Sequence, residues 1–432
     1  MGSEYRHGRQ GPVVSLLLFA ALLYPLGCTS GCSSSVNTDA LQSANAPRIR
    51  VRLLSAVDSV TLSCGVPPLY QLSNQPAAQL LNSPNNAVFT LSLDKQGWQA
   101  GNASLGGANA QGVPSAILHV QPDHDGSVSI NNVAYRGRFR FVPVGGNKFD
   151  VINEVDVDSY LASVVSKEML PNWHEEAYKA QAVVARTYAI YEKQTAGADR
   201  YWDVYPDTRS QVYGGIPAET ARSRAAVAQT AGIVVAAPDA NGYPRIFKAY
   251  FSSCCGGISQ SAADAFGDPY IPPLTEQDVH AACRASPRFN WGPVVIDKSE
   301  LTRRFVAYGQ RRNRAEQHMA TIARIDVQAE NRWGRPVRFL VTDVKGSKFS
   351  LSGEDFRWAV NFGAPENSNT ILWSSFVKVI SDSDKIRFVE GHGWGHGAGL
   401  CQWCAEKRAE DGMHHEDIVL AAYPTATLVR AY

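Results

Sequence analysis

The sequence predicts a mixed α+β protein, and three patterns lead to that prediction. Apolar residues at every second position, as at Ile49, Val51 and Leu53, are typical of strands. From residue 158 the apolar positions follow a helical period, and strands and helices alternate after residue 232. Within a region spanning 48–430 we predict four parts: a mostly β part at 48–152, a central core with helices and short strands at 153–292, an inserted mixed α/β segment at 293–388, and a C-terminal Gly-rich loop with helices at 389–430.

The length and the charge balance limit the class of protein. A chain of 432 residues, 44% of them hydrophobic, can bury a sizeable core and fits two or three domains. Its 41 Lys and Arg residues are balanced by 40 Asp and Glu residues. We therefore expect no nucleic acid partner and no general attraction to an anionic membrane surface.

The N-terminus has the pattern of an export signal. Arg6 and Arg9 precede an uncharged, mostly apolar run at 12–26, which is followed by small residues and Cys28. We predict a signal peptide at 1–28, a flexible tether at 29–47, and a location in the periplasm or cell envelope. The end of the signal resembles that of a lipoprotein, although Pro25 departs from the pattern. Lipid attachment at Cys28, which would be the membrane anchor, and simple secretion both remain open.

The first predicted helix carries an unexpected glutamate. Asp158 can cap this helix, Pro171 stops it, and Leu161, Val164 and Val165 form its apolar stripe. The next stripe position is Glu168, close to the helix C-terminus. Partial burial and the negative end of the helix dipole both favour a protonated carboxyl there, which is what a general acid needs. The alternative is a structural ion pair with an arginine of the second helix, and the residues alone favour that alternative.

The second helix, predicted at 174–194, and a later glycine-rich loop add polar candidates. Lys179 and Arg186 share one helix face, and Gln181 and Tyr188 share another, so the helix could hold a sugar or simply face solvent. The loop at 391–399 alternates glycine with His392, Trp394 and His396. If the loop is extended, these three side chains project to one side.

The cysteines give no decisive pattern. The mature chain retains Cys64, Cys254, Cys255, Cys283 and the C-x-x-C pair of Cys401 and Cys404. That pair fits a redox couple, a disulfide, half of a metal site with Cys254 and Cys283, or two buried side chains. His392 and His396 also lack an obvious third ligand. We therefore predict neither a metal-binding residue nor a cofactor.

Six separated blocks resemble, in order, the SpoIID/LytB family of bacterial cell-wall proteins. The most specific are Lys179-Ala-Gln-Ala182 and Gly391-His-Gly-Trp-Gly-His-Gly397, and the resemblance extends over most of 48–430. The blocks lie at 153–161, 167–169, 179–189, 211–214, 255–257 and 391–403.

The resemblance implies a lytic transglycosylase that cleaves peptidoglycan glycan strands, with Glu168 as the catalytic acid. It gives the following substrate-binding residues: Lys179, Gln181, Arg186, Tyr188, Gln211, Tyr213, His392, His396 and Gln402. Two further interpretations stay open. The chain could bind glycan and enhance a separate cell-wall amidase, or it could act as an envelope scaffold.

The sequence also departs from the family pattern. Leu170 stands between Met169 and Pro171, where the family usually has proline directly after methionine. The residues at 207–210 contain neither Cys nor His, so they cannot rebuild the metal site that some members carry beside the block at 211–214. Hydrolysis remains an alternative because Glu154, Asp203 or Asp207 could supply a second carboxylate.

Overall fold

The computed structural model describes the backbone at 36–37 and the residues 46–81, 88–109, 113, 115–122, 127–280, 282–365 and 368–432. The predicted export signal, with Cys28, lies outside the described residues. Within the predicted tether, Val36–Asn37 forms a short strand that pairs antiparallel with residues 245–246. Across the described ranges, no helix has the length and apolar character to cross a bilayer.

The mixed α+β class is confirmed. The described residues contain these α-helices: α1 (Val157–Glu168), α2 (Glu175–Thr195), α3 (Ala221–Gln229), α4 (Ala262–Phe266), α5 (Lys298–Arg312), α6 (Gly353–Asn361), α7 (Gln402–Glu410) and α8 (His415–Ala422).

The strands before α1 are β1 (Val36–Asn37), β2 (Arg48–Val57), β3 (Ser59–Cys64), β4 (Leu69–Leu72), β5 (Gln79–Leu80), β6 (Val88–Asp94), β7 (Gly97–Ala100), β8 (Ala103–Gly107), β9 (Leu118–Gln121), β10 (Val128–Ile130), β11 (Val133–Tyr135), β12 (Arg138–Gly145) and β13 (Lys148–Asp156). The strands after α3 are β14 (Ile233–Pro238), β15 (Pro244–Ile246), β16 (Phe251–Ser252), β17 (Asn290–Trp291), β18 (Val294–Asp297), β19 (Ile322–Glu330), β20 (Pro336–Asp343), β21 (Lys348–Ser352), β22 (Lys378–Ser381), β23 (Lys385–Val389), β24 (Gly391–His392), β25 (Leu400–Cys401) and β26 (Thr427–Arg430).

The N-terminal part is built from two six-stranded sheets. Their strand orders are β11-β10-β3-β6-β7-β8 and β2-β13-β12-β9-β4-β5. The two sheets share an apolar core in which the Trp98 ring contacts Phe141 and Phe149 edge-on, at centroid distances of 6.1 and 5.0 Å. The indole N–H of Trp98 donates to the Ala116 carbonyl at 2.8 Å, so this buried ring has no unpaired polar atom.

The second core lies around α1, α2 and the sheet β1-β15-β14-β26. The side chain of Asp156 caps α1 by accepting from the Ser159 N–H at 2.8 Å, so the predicted cap at Asp158 was wrong by two residues. Asp158 instead pairs with Arg186. On α2, Ala177, Ala180 and other fully buried alanines let the neighbouring elements approach its backbone closely.

The segment between Val294 and Phe388 has a third core of its own. Its sheets are β18-β23-β22 and β19-β20-β21, and α5 and α6 pack against them. Phe339 and Phe356 stack at its centre with their centroids 4.0 Å apart. The chain enters and leaves this segment side by side, because β17 pairs antiparallel with β24.

Two local features have misleading or weak signals in the sequence. The apolar residues at 247–251 alternate as in a strand, but only Phe251–Ser252 forms one, in a parallel pair with the distant Leu400–Cys401. The helices α3 and α6 were not predicted. Their short lengths and the Gly353 at the start of α6 leave little helical signal in the sequence.

Candidate active site

Glu168 is the last residue of α1, and its carboxyl lies at the edge of the central core. The stripe residues Leu161, Val164 and Val165 are fully buried, as predicted, whereas Glu168 is partly exposed. Its Oε1 accepts a hydrogen bond from the backbone N–H of Val212 at 3.1 Å. The carboxyl group is therefore neither enclosed by the core nor free in solvent.

Burial raises the pKa of the Glu168 carboxyl above its usual range, while the Val212 N–H and the Gln402 side chain act in the opposite direction. Burial is the largest of these influences. Gln402 is itself buried, and its Nε2 makes no well-formed hydrogen bond with the described residues. A small movement would let this amide donate to the carboxylate. The surroundings thus favour the proton on Glu168 but also offer donors to the anion.

The loop that carries Val212 is fixed by buried hydrogen bonds. The Tyr160 hydroxyl donates to Gln211 Oε1 at 3.1 Å, and the Tyr213 hydroxyl donates to Asn153 Oδ1 at 2.9 Å. Gln211 and Tyr213 are 1% and 6% exposed. Both were predicted to bind substrate, but they have almost no surface with which to do so. Their side chains instead position the Val212 N–H against Glu168.

Arg186 also differs from the prediction. Its guanidinium is fully buried and donates to Asp158 at 2.9 and 3.1 Å, to the Tyr432 hydroxyl at 3.0 Å, and to the carbonyls of Val227 and Ile233 at 3.1 and 3.2 Å. These bonds tie α1, α2, α3 and the sheet of the central core together. Arg186 is therefore a structural residue, because all of its donors are engaged inside the protein.

The other predicted residues of α2 have different surroundings. Tyr188 is 6% exposed and packs edge-on against Tyr250 and Phe251. Gln181 is fully buried, and neither its Nε2 nor its Oε1 has a hydrogen-bond partner in the described part of the chain. Lys179 is only partly buried, and its Nζ donates to Glu176 at 2.5 Å. Of these three residues, Lys179 alone reaches a surface cleft.

That cleft has a volume of about 510 Å³ and lies beside the start of α2. It is lined by Asn172, Trp173, His174, Glu175, Lys179, Arg222, Ala225, Ala226 and Gln229. Trp173 also contacts Trp403 edge-on at 4.9 Å, and Trp403 directly follows Gln402. Glu168 is not among the lining residues. The cleft residues at 172–175 follow Glu168 closely in the sequence, but the Glu168 carboxyl does not line the same cavity. The sequence analysis did not identify Trp173 or Trp403. Their positions, five residues after Glu168 and directly after Gln402, were the available signal.

The glycine-rich loop does not present its rings in one row. His392 lies near Phe289 and Phe376, and Trp394 near Trp373. His396 lies between Tyr250 and Phe266, at centroid distances of 5.8 and 5.1 Å. The predicted projection to one side is wrong because the glycines at 393, 395 and 397 take positive φ values and turn the loop.

His396 is neutral near pH 7 in this position. Burial lowers its pKa to about 4. Its Nδ1 accepts from the Ala398 N–H at 3.0 Å, so the proton of the neutral ring belongs on Nε2. Burial lowers the pKa of His392 as well. Both histidines are partly exposed, and a contact between either ring and a ligand stays a prediction.

The three candidates for a second carboxylate are each held by arginine. Asp203 is fully buried and accepts from Arg50 at 2.6, 2.8 and 3.0 Å, and Glu154 accepts from Arg138 at 2.5 Å. Asp207 pairs with Arg209 at 2.7 Å. No carboxylate contributes to the shifted pKa of Glu168. Glu168 is therefore a single acid without an acidic partner in its described surroundings.

A cluster of thiols lies behind the glycine-rich loop. The sulfur atoms of Cys255, Cys283, Cys401 and Cys404 all lie within 4.8 Å of one another, and all four residues are buried. Neighbouring thiols that can donate to its sulfur lower the pKa of Cys283. The sequence prediction of no metal-binding residue did not foresee this convergence, because only the C-x-x-C pair is local in sequence.

One part of the chain, around α1 and α2, matches a known family. Residues 145–236, which contain α1, α2, Glu168 and Val212, match the family model described as SpoIID, Stage II sporulation protein. The family assignment made from the motifs is thereby confirmed.

Similar proteins come from several bacteria. An uncharacterized protein of Brachyspira hyodysenteriae is 27% identical over 310 residues, which are 70% of this chain and 74% of that protein. The amidase enhancer of Bacillus subtilis is 27% identical over 303 residues, which are 62% of this chain and 40% of the enhancer. An uncharacterized protein of Chlamydia muridarum is 28% identical over 208 residues, which are 47% of this chain and 67% of that protein.

Proposed function

We propose that this chain is an exported protein of the bacterial cell envelope that cleaves peptidoglycan glycan strands as a lytic transglycosylase. The observation that carries the proposal is the carboxyl of Glu168, which is partly buried, has a raised pKa and lies beside the donors Val212 and Gln402. A general acid must hold its proton near working pH and must then tolerate being an anion. The raised pKa of Glu168 favours the first condition, and its neighbouring donors favour the second.

In the proposed reaction, Glu168 serves twice. Its carboxyl proton goes to the glycosidic oxygen between MurNAc and GlcNAc as that C–O bond breaks. The carboxylate that results then accepts the proton of the C6 hydroxyl of the same MurNAc, whose oxygen bonds to C1. The product is a 1,6-anhydro sugar, and Glu168 ends in its starting protonation state. The Val212 N–H and the Gln402 amide stabilise the transient carboxylate.

Intramolecular attack by the C6 hydroxyl oxygen requires only one carboxyl group. This requirement fits the surroundings of Glu168. Hydrolysis with inversion or retention normally uses two carboxylates on opposite sides of the bond. Here Glu154, Asp203 and Asp207 are engaged by arginines. The absence of a free acidic partner among the described residues around Glu168 supports transglycosylation over hydrolysis.

The test is mass spectrometry of purified glycan strands, with and without stem peptides, after incubation with the wild-type chain and with Glu168→Gln. We expect anhydro-ended fragments from the wild type and a loss of about 100-fold to 10,000-fold in their release from the variant, because general acid catalysis contributes about that much. Glu410→Gln is the matched control, since Glu410 also ends a helix but is exposed. Fragments with reducing ends would indicate hydrolysis instead.

A second function is favoured by two observations. The Bacillus subtilis relative is named an amidase enhancer, and the cleft of about 510 Å³ does not include Glu168. The chain would then bind glycan and stimulate a separate cell-wall amidase without cutting the strand. Co-sedimentation with insoluble peptidoglycan, combined with release of stem peptides by an added amidase, measures both properties. Binding and stimulation by wild type and Glu168→Gln alike, with no anhydro product, would replace the first proposal by this one.

A further inference from the structure

The four clustered sulfur atoms have the spacing of ligands around one metal ion. Cys255 Sγ lies 3.6 Å from Cys283 Sγ and 3.9 Å from Cys404 Sγ, and the largest separation in the set is below 4.8 Å. Four sulfurs at the usual Zn–S distance of about 2.3 Å, arranged as a tetrahedron, lie about 3.8 Å apart. A disulfide would bring two sulfurs to about 2.05 Å. The cluster therefore fits an ion at its centre better than it fits bonded pairs.

The thiols come from three separate parts of the chain. Cys255 follows β16, Cys401 ends the paired strand β25, and Cys404 lies in the first turn of α7. Cys283 comes from the loop before β17. All four are between 0% and 5% exposed. Buried thiols of such distant origin converge on one point only because the tertiary fold brings them together.

A buried positive charge stands next to the cluster. Arg335 is fully buried, and its NH1 donates to the carbonyls of Cys255 and Ile258 at 3.0 and 2.8 Å, while its NH2 donates to the carbonyl of His396 at 3.0 Å. None of these acceptors is charged. The nearby Glu354 is already paired with Arg357 at 2.6 Å. A buried guanidinium without a carboxylate partner needs a compensating anion.

An ion held by four thiolates supplies that anion. Four deprotonated cysteines around a divalent cation leave two net negative charges, and Arg335 would offset part of them. The backbone also contributes, because the Cys255 N–H donates to Cys401 Sγ at 3.3 Å. Such N–H donors lower the charge on a thiolate and fix its orientation.

We propose that Cys255, Cys283, Cys401 and Cys404 bind one Zn²⁺ ion as four thiolates. Binding releases the four thiol protons to solvent and involves no change of oxidation state. Tetrahedral sulfur sites favour zinc over magnesium or calcium, which prefer oxygen ligands. An iron–sulfur cluster places several irons between its cysteines and so requires wider sulfur separations than those observed here.

The ion would hold the segments that carry Cys255 and Cys283 against the start of α7. Gln402 lies between two of the ligands, and the chain between Cys283 and Cys401 contains the entire third core. The ion would therefore fix the start of α7, and with it the amide next to Glu168. This role does not depend on whether the chain cuts glycan.

The first experiment is elemental analysis of the purified full chain after dialysis, with Cys404→Ser and Cys64→Ser beside it. Cys64 is a buried thiol of the N-terminal β core, outside the cluster, and is the matched control. We expect about one zinc per chain in the wild type and in Cys64→Ser, and less than a tenth of that in Cys404→Ser. Full zinc occupancy in Cys404→Ser, or iron in place of zinc, would overturn the assignment.

A second measurement needs only the wild-type chain and so stays valid if Cys404→Ser does not fold. Thiols are alkylated under native conditions with and without a strong chelator, and the products are located by peptide mass spectrometry. Protection of the four cysteines that is lost with the chelator, together with a lower melting temperature, supports the ion. Disulfide-linked peptides, or protection that the chelator does not change, would overturn it.

Discussion

The two ends of the α1–α2 helix pair differ in how completely their polar groups are bonded. At the Arg186 end, a buried guanidinium donates to Asp158, to the Tyr432 hydroxyl and to backbone carbonyls. At the Glu168 end, the carboxyl has one backbone donor, and the neighbouring Gln402 Nε2 has no partner in the described structure. A fully bonded buried charge stabilises the fold, whereas an incompletely bonded group can still gain a partner when the charge beside it changes. This difference separates the structural residues from the candidate catalytic ones.

The largest effect on stability is expected at the fully bonded end. Arg186→Met should lower the free energy of unfolding by about 3–5 kcal/mol, because it leaves buried acceptors and the Asp158 carboxylate without their partner. Urea denaturation followed by circular dichroism measures the loss. The control is Arg224→Met, since Arg224 is 53% exposed and its pair with Glu219 spans 3.7 Å, and it should cost less than about 1 kcal/mol. Equal losses for both variants would show that the hydrogen bonds of Arg186 contribute no more to the free energy of unfolding than an exposed ion pair does.

A smaller effect, on activity, is expected at the other end from Gln402→Met. The methionine keeps most of the side-chain volume but removes the amide that lowers the pKa of Glu168. Release of anhydro-ended fragments should fall roughly 10-fold to 150-fold, because a hydrogen bond to a charged group contributes about 1.5–3 kcal/mol. The basic limb of the pH profile should move to higher pH, since the carboxyl then keeps its proton longer. An unchanged pH profile would mean that the Gln402 amide does not influence the pKa of Glu168.

The smallest effect is the pH dependence of stability in Glu168→Gln. The folded pKa of Glu168 is raised, so the wild type has its full stability below the unfolded pKa of about 4.3 and loses part of it as pH rises through the folded pKa. The glutamine variant lacks this titration. Its melting temperature relative to the wild type should therefore increase with pH by a few degrees at most. A variant that becomes relatively less stable as pH rises would mean that the carboxylate is ion-paired.

The sequence predicted the central helices because their signals are local. The stripe of Leu161, Val164 and Val165, ended by Pro171, defined α1 to within two residues at its start and placed Glu168 at its end. The cap was misassigned because Asp156 and Asp158 are equally good capping residues by type. Only the distant Arg186 determines that Asp158 forms an ion pair instead.

The remaining features depend on contacts between distant parts of the chain. No local pattern shows that Gln211, Tyr213 and Arg186 are buried, because their polar character is typical of surface residues as well. The four thiols span positions 255 to 404, and the intervening third core hides their proximity. The family motifs therefore located the important positions, but they did not distinguish residues that touch a ligand from residues that support those that do.

The pairing of β17 with β24 has a consequence for how this protein varies among organisms. Asn290 lies opposite His392 and Trp291 opposite Gly391, so the chain enters and leaves this segment at adjacent points. Arg335 adds a second attachment, because it donates from this segment to the carbonyls of Cys255, Ile258 and His396. A module joined at adjacent strand ends can be enlarged or trimmed without displacing its host. The outer parts of this segment can therefore differ in size among organisms, provided that the strand pair and the contacts of Arg335 are kept.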